Sequence, residues 1–155
     1  MPRSQPLNFG PDGARCLAVF ATNDVEYLVV GGYAVRHHGH LRPAKDLDVL
    51  VSNSSLNSIR LCAALIELIG IDHPNLRPQQ IEGRKRQINL TEWGHNFEVL
   101  TAADGVDFPA AYARRIMASV GGQLVPVIDK ADLLAMKRRS SRSQDTEDVK
   151  ALEAV

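Results

Sequence analysis

Tyr27-Leu28-Val29-Val30-Gly31-Gly32-Tyr33-Ala34-Val35, followed a few residues later by Lys45-Asp46-Leu47-Asp48-Val49-Leu50-Val51, is the part of the chain whose reading decides the fold. Four consecutive apolar residues, two of them β-branched valines, predict a buried strand over 27–30. Two glycines stop it abruptly, and residues 33–38 predict one or two helical turns ended by Gly39. A loop broken by Pro43 leads to a second strand, in which acidic and aliphatic residues alternate. Side chains two apart in a strand share a face. Asp46 and Asp48 are therefore expected on one face, and Leu47, Val49 and Val51 on the other.

Working outward, Asp12 is expected to cap a helix that buries Leu17, Phe20 and Ala21. Ser54 or Ser55 is expected to cap a longer helix with Leu56, Ile59, Ala63, Ile66 and Ile69 as its apolar stripe and Gly70 as its stop. Residues 71–83 read as a loop. Strands are expected over 85–90 and 96–100, joined through Trp93-Gly94. A helix after Asp107 is expected to carry Phe108, Tyr112 and Ile116 on one side. Gly121-Gly122 turns into a strand over 124–128. Asp129 caps a helix with Leu133, Leu134 and Met136, and Ser143 starts a last helix with acids in its first turn, where the helix dipole favours them. Residues 1 to about 10 read as a loose arm. This alternation predicts an α/β (α+β) fold with a small mixed sheet flanked by helices, as a single domain over 1–155.

Composition agrees. The chain has 155 residues, 45% hydrophobic and 23% charged, in the range of one globular domain. Eighteen basic and 18 acidic side chains cancel, which argues against strong non-specific binding to nucleic acid or an anionic membrane but leaves room for a local basic patch. Cys16 and Cys62 have no CxxC partner and read as buried, reduced thiols. The N-terminal stretch has no signal-peptide core and no apolar run is long enough for a membrane span, so a cytoplasmic protein with no membrane partner is expected.

The chemistry is expected from three acids. Asp46 and Asp48 repel each other unless a cation lies between them. Magnesium, which takes oxygen ligands and keeps positions open for phosphate, suits such a pair. Glu98, in Phe97-Glu98-Val99-Leu100, completes the set if its strand neighbours that of the aspartates. A cluster of this kind serves phosphoryl or nucleotidyl transfer, and one carboxylate can accept the proton of an attacking hydroxyl. Gly31 and Gly32, at the end of a strand, allow bare backbone N–H groups to approach an anion. His37, His38 and His40 are expected to shape the loop before Asp46 by hydrogen bonding. Arg84-Lys85-Arg86 and Lys137-Arg138-Arg139 with Arg142 read equally as solvated faces or as grips for a polyanion. Trp93 is expected to plug an edge of the core or to make an oligomer contact.

The run from Tyr27 through His38-Gly39, Arg42 and Lys45-Asp46-Leu47-Asp48-Val49 resembles the nucleotidyltransferase superfamily of the polymerase-beta type. It is most similar to small bacterial proteins related to the AbiEii toxin and to the minimal nucleotidyltransferases. Asn57, the blocks Glu98-Val99-Leu100-Thr101 and Gly105-Val106-Asp107-Phe108, and the ending from Asp132 through Lys137, Arg142, Asp145 and Asp148 extend the likeness over most of the chain. The resemblance implies a nucleotidyltransferase fold. It implies that Gly31, Gly32, Arg42 and Lys137 bind the nucleotide and that Asp46, Asp48 and Glu98 bind two magnesium ions. Glu98 stands where the family usually has an aspartate, and Ser140-Ser141 stands where a small residue and glycine are usual. The implied reaction moves a nucleoside monophosphate from an NTP to a hydroxyl of a protein, an RNA or a small molecule, with the acceptor unidentified. The alternative is a toxin–antitoxin-type regulatory module that binds a protein partner, or a family member that keeps the fold without the activity.

Overall fold

A computed structural model describes residues 8–155; the loose arm expected over residues 1 to about 10 falls mostly outside them. The chain runs α1 (Gly10–Thr22), β1 (Tyr27–Val30), α2 (Gly31–His37), β2 (Leu47–Val51), α3 (Ser55–Ile69), β3 (Gln87–Asn89), β4 (Phe97–Leu100), α4 (Phe108–Ala113), β5 (Ile116–Val120), β6 (Gln123–Val127), α5 (Lys130–Arg138) and α6 (Ser143–Glu153). The six strands form one mixed sheet in the order β3-β4-β2-β1-β6-β5. β2 lies antiparallel to β1 and parallel to β4, and β1 lies parallel to β6. The two edge strands, β3 and β5, are antiparallel to their neighbours. The fold is thus α+β with a mixed sheet, as the alternation of elements predicts.

The central strands are covered on both faces, which is why they read as near-continuous apolar runs. All four residues of β1 are buried, as are Leu47, Val49, Leu50 and Val51 of β2. On one face Phe20 of α1 sets its ring edge-on against Phe97 of β4 at 5.2 Å and against Tyr27 of β1 at 5.6 Å. Burial of such a ring stabilises by about 1.5–3 kcal/mol, before the aromatic pairing is counted.

Several local expectations hold. The Ser54 hydroxyl caps α3 by accepting from the Asn57 N–H, and Gly70 closes that helix in the left-handed conformation. The Asp129 carboxylate accepts from the Asp132 N–H at 2.8 Å and caps α5. Gly121 and Gly122 both have positive φ, and Val120 faces Gln123 across the hairpin. Two left-handed residues give a hairpin the twist its strands need.

Three expectations are corrected. Asp12 does not cap α1; Phe9 is the N-cap, and Asp12 lies in the first turn with its carboxylate at His95. The first part of the expected stripe of α3 faces outward: Leu56 and Ile59 are 56% and 54% exposed, Ile69 is only half-buried against the core, and Leu61, Leu65 and Leu68 are the buried positions. That helix is apolar on both sides, so periodicity alone had two answers. Its inner side is selected by Asn57, which is buried and binds three backbone groups. Its Oδ1 accepts from the Glu26 N–H at 2.7 Å, and its Nδ2 donates to the carbonyls of Glu26 and Ser52. Finally, Ile116 is not helical: α4 stops at Ala113, and Ile116 begins the edge strand β5, where it is exposed.

The loop over 71–83 contains a single 3-10 turn, Pro78–Gln80. Trp93 packs, half-buried, against the core and meets His73 edge-on, as expected of a plug. No helix among the described residues is long and apolar enough to cross a membrane.

Candidate active site

The sheet order brings the end of β1 beside the start of β2 and the start of β4. Val30 is the register partner of Asp48, and Asp48 is the partner of Glu98. The two acids therefore share a face on adjacent parallel strands, immediately beside the glycines.

Gly31 explains the first glycine. Its φ is +63°, and a Cβ added there would stand 2.9 Å from both Cβ and Cγ of Asp48. A side chain at 31 and the Asp48 carboxyl compete for the same space. At Gly32 an added Cβ would sit 3.0 Å from the Ala44 Cβ and 3.2 Å from the Arg42 Nη1. Gly31→Ala is expected to cost about 2–4 kcal/mol, from left-handed strain together with overpacking. A lowered midpoint in urea checks this; an unchanged midpoint shows that Asp48 moves aside freely.

Asp48 is a constrained carboxyl. Its Oδ1 is buried and has no hydrogen-bond partner. Burial, then the adjacent Glu98, then Asp46 push its pKa up to about 7, against the opposing pull of Lys137. Glu98 is half-buried and accepts a hydrogen bond from the Gln87 amide.

Asp46 stands apart from this pair. It precedes β2, is exposed, and lines a hollow of about 270 Å³ together with Gly32, Arg42, Lys45, Asp48 and Arg142. Asp48 and Glu98 open instead onto an adjoining cleft of about 240 Å³, lined also by Gly31, Gly32, Lys137 and Arg142. Asp48 thus belongs to both hollows. A wider surface depression lies elsewhere, around Asn75, Gln80 and Arg84-Lys85-Arg86. It contains no acid, and its lining basic run is partly neutralised, since Lys85 pairs with Asp104 at 3.0 Å.

Arg42 and Lys137 reach the cleft, but both are held by α6. The Arg42 guanidinium grips Asp148 bidentately, with Nε at 2.7 Å and Nη2 at 2.9 Å. The Lys137 Nζ lies 2.9 Å from Asp148 and 2.8 Å from Asp145. Asp148 is fully buried. Burial alone would raise its pKa, yet the hydrogen bonds from Arg42 and Lys137 prevail and hold it down at about 2. Of His37, His38 and His40, only His38 makes a side-chain hydrogen bond among the described residues, to the Ile128 carbonyl at 2.8 Å; His40 stands 3.7 Å from the Asp148 carboxylate, beyond hydrogen-bond reach, and His37 meets the His38 ring edge-on.

Arg142, legible in the sequence as part of a basic run, joins the site in the structure. Its side chain is 77% exposed, its nearest acid, Asp145, is 3.7 Å away, and it lines both hollows. The signal was its place in the Arg142–Asp148 block. The buried counter-charge role of Asp148 had no local signature, because Arg42 lies 106 positions away.

The chain matches no family model and no curated protein.

Proposed function

We propose that the chain is a nucleotidyltransferase that transfers a nucleoside monophosphate from an NTP to a hydroxyl acceptor, using a nucleotidyltransferase fold and a magnesium-supported acidic site. The observation that carries this reading is the Asp48 carboxyl: its Oδ1 is buried and unpartnered, it faces Glu98 across parallel strands, and the glycine at 31 leaves room for it. An unpaired buried acid beside a second acid is costly without a compensating cation.

The donor set fits a hard divalent ion. Oxygen ligands from Asp48 and Glu98, with Asp46 at the adjoining rim, suit magnesium. When bound, magnesium neutralises charge on the phosphate oxygens and steadies the attacking and leaving oxygens.

The remaining work belongs to the chain. Gly31 and Gly32, without side chains, let the triphosphate approach the backbone. Arg142, weakly held and exposed, is free to meet the outer phosphates, while Arg42 and Lys137 add fixed positive charge at the cleft wall. The acceptor oxygen forms a bond to the α-phosphorus as the bond to pyrophosphate breaks. We assign the acceptor's proton to Glu98, whose carboxylate is half-exposed to the cleft. Holding these groups in line is the main source of rate enhancement in such reactions.

Binding is measured by calorimetry with each NTP in magnesium, and transfer by following labelled NTP into protein, RNA and small-molecule acceptors. The expected result is magnesium-dependent nucleotide binding with release of pyrophosphate. No uptake of any NTP with magnesium sinks the reading. A second reading, a regulatory module that binds a protein partner, draws on the exposed Leu56 and Ile59 of α3. A pure binding module takes up no nucleotide, so the same titration separates the two.

A further inference from the structure

Away from the acidic cleft, three side chains that the proposed reaction does not use converge under α1. Asp12 and Cys16 are four residues apart and so share a helix face. His95 arrives from the turn before β4, 79 positions after Cys16. Its Nδ1 lies 2.7 Å from the Asp12 Oδ1 and 3.9 Å from the Cys16 Sγ, and the three ligand atoms all fall within 4.8 Å of one another. Among the described residues no other group of three histidine, cysteine or acidic side chains gathers so closely.

The hydrogen bonding at His95 leaves two acceptors facing each other. Its Nε2 lies 3.0 Å from the Leu68 carbonyl. A carbonyl only accepts, so Nε2 carries the hydrogen. In the neutral ring Nδ1 then presents a lone pair to a carboxylate oxygen, which also only accepts. Two acceptors at 2.7 Å need a proton or a metal ion between them. A proton answers for one pair of atoms; a metal ion answers for the nitrogen, the oxygen and the sulfur together.

We propose that Asp12, Cys16 and His95 form a binding site for a borderline-soft divalent metal of the zinc class. Nitrogen, sulfur and oxygen donors are the set that zinc takes. Bonds of about 2.0–2.3 Å to a common tetrahedral centre separate nitrogen from sulfur by about 3.5 Å and nitrogen from oxygen by about 3.3 Å. The observed separations differ from these by about half an ångström in opposite senses. A turn of the Asp12 carboxylate, whose side chain is 46% exposed, adjusts the oxygen. The Leu68 carbonyl supplies the outer contact that fixes ring orientation at zinc sites. Cys16 is fully buried and the His95 side chain 10% exposed, so the metal enters from the Asp12 side, where water takes the fourth position. Burial and Asp12 hold the Cys16 thiol protonated, up to about 12. Metal binding therefore forms a metal–sulfur bond and releases the thiol proton to solvent. The site was not legible in the chain because it has no CxxC: its ligands are a helical i, i+4 pair and a remote histidine.

Cobalt(II) and zinc(II) titrations of the chelator-treated full chain decide the matter, independently of any nucleotide chemistry. Cobalt is expected to give a sulfur-to-metal charge-transfer band, displaced by zinc, and zinc is expected to raise the melting temperature by several degrees. Cys16→Ser is expected to abolish the band and Asp12→Asn to weaken binding at least tenfold, while Asp48→Asn leaves the sulfur-to-metal band unchanged. Should Cys16→Ser fail to fold, Asp12→Asn, on the exposed rim, carries the test. Absence of the band, or a band and affinity unaltered by Asp12→Asn, overturns the site and leaves a proton-bridged histidine–carboxylate pair.

Discussion

Asp48→Asn is expected to lower nucleotidyl transfer by about 10²–10³-fold, the range seen when one preorganised charge-stabilising group is lost, and yet to make the metal-free protein more stable at pH 8. The second half of this result follows from the Asp48 carboxyl, whose pKa is pushed up to about 7 by burial and then by Glu98. Below about pH 4, near the ordinary aspartate value, the carboxyl is protonated in both folded and unfolded chains, and native and variant proteins differ little. Between about pH 4 and 7 the unfolded chain ionises while the folded one holds its proton, so native stability falls relative to the variant. Above about pH 7 the deficit is constant. Part of the carboxyl meets solvent, so the full conversion of the shift is discounted to about 2–3 kcal/mol. For a domain of this size that is about 4–12 °C in melting temperature. Magnesium is expected to stabilise only the native protein and to narrow the gap. Melting curves with and without magnesium at pH 4.5 and 8 check all of this. A variant less stable than the native chain at pH 8 shows that the Asp48–Glu98 pair is not the repulsive one described.

Asp148→Ala is expected to be the most destabilising single change in the site, by about 3–5 kcal/mol, because removing one partner of a buried ion pair strands the others. Here two cations are stranded, Arg42 and Lys137, both within 3 Å of the missing carboxylate. The same group ties α6 to α5 and to the loop ahead of β2. The pH dependence is opposite to that of Asp48. With a folded pKa of about 2, Asp148 contributes stability above about pH 4, and this is lost as pH falls from there toward 2. Urea midpoints of native and variant proteins are expected to differ widely at pH 7 and to converge toward pH 2. A difference that persists unchanged into acid shows that packing, not charge, is what Asp148 supplies. Both variants separate site chemistry from fold: Asp48 costs stability where it stands, whereas Asp148 provides it.

Local spacing alone specified a good deal. The valine run of β1, the alternation in β2, the Ser54 and Asp129 caps and the turn at Gly121-Gly122 all depend on side chains within a few residues of one another, so period and capping chemistry are enough to read them, whereas the start of β5, the strand before that turn, reads from its spacing as helix. The shared face of Asp48 and Glu98 followed from period two on each strand, once the strands were taken as neighbours. Tertiary structure alone decided the rest. α3 is apolar on both sides, and only its docking through Asn57 turned Leu61 and Leu65 inward and Leu56 and Ile59 out. Arg42 meets Asp148, and Cys16 meets His95, across separations of 106 and 79 residues. Such contacts are set by strand order and helix docking, which depend on how the whole chain closes its core; no short window of sequence contains that information.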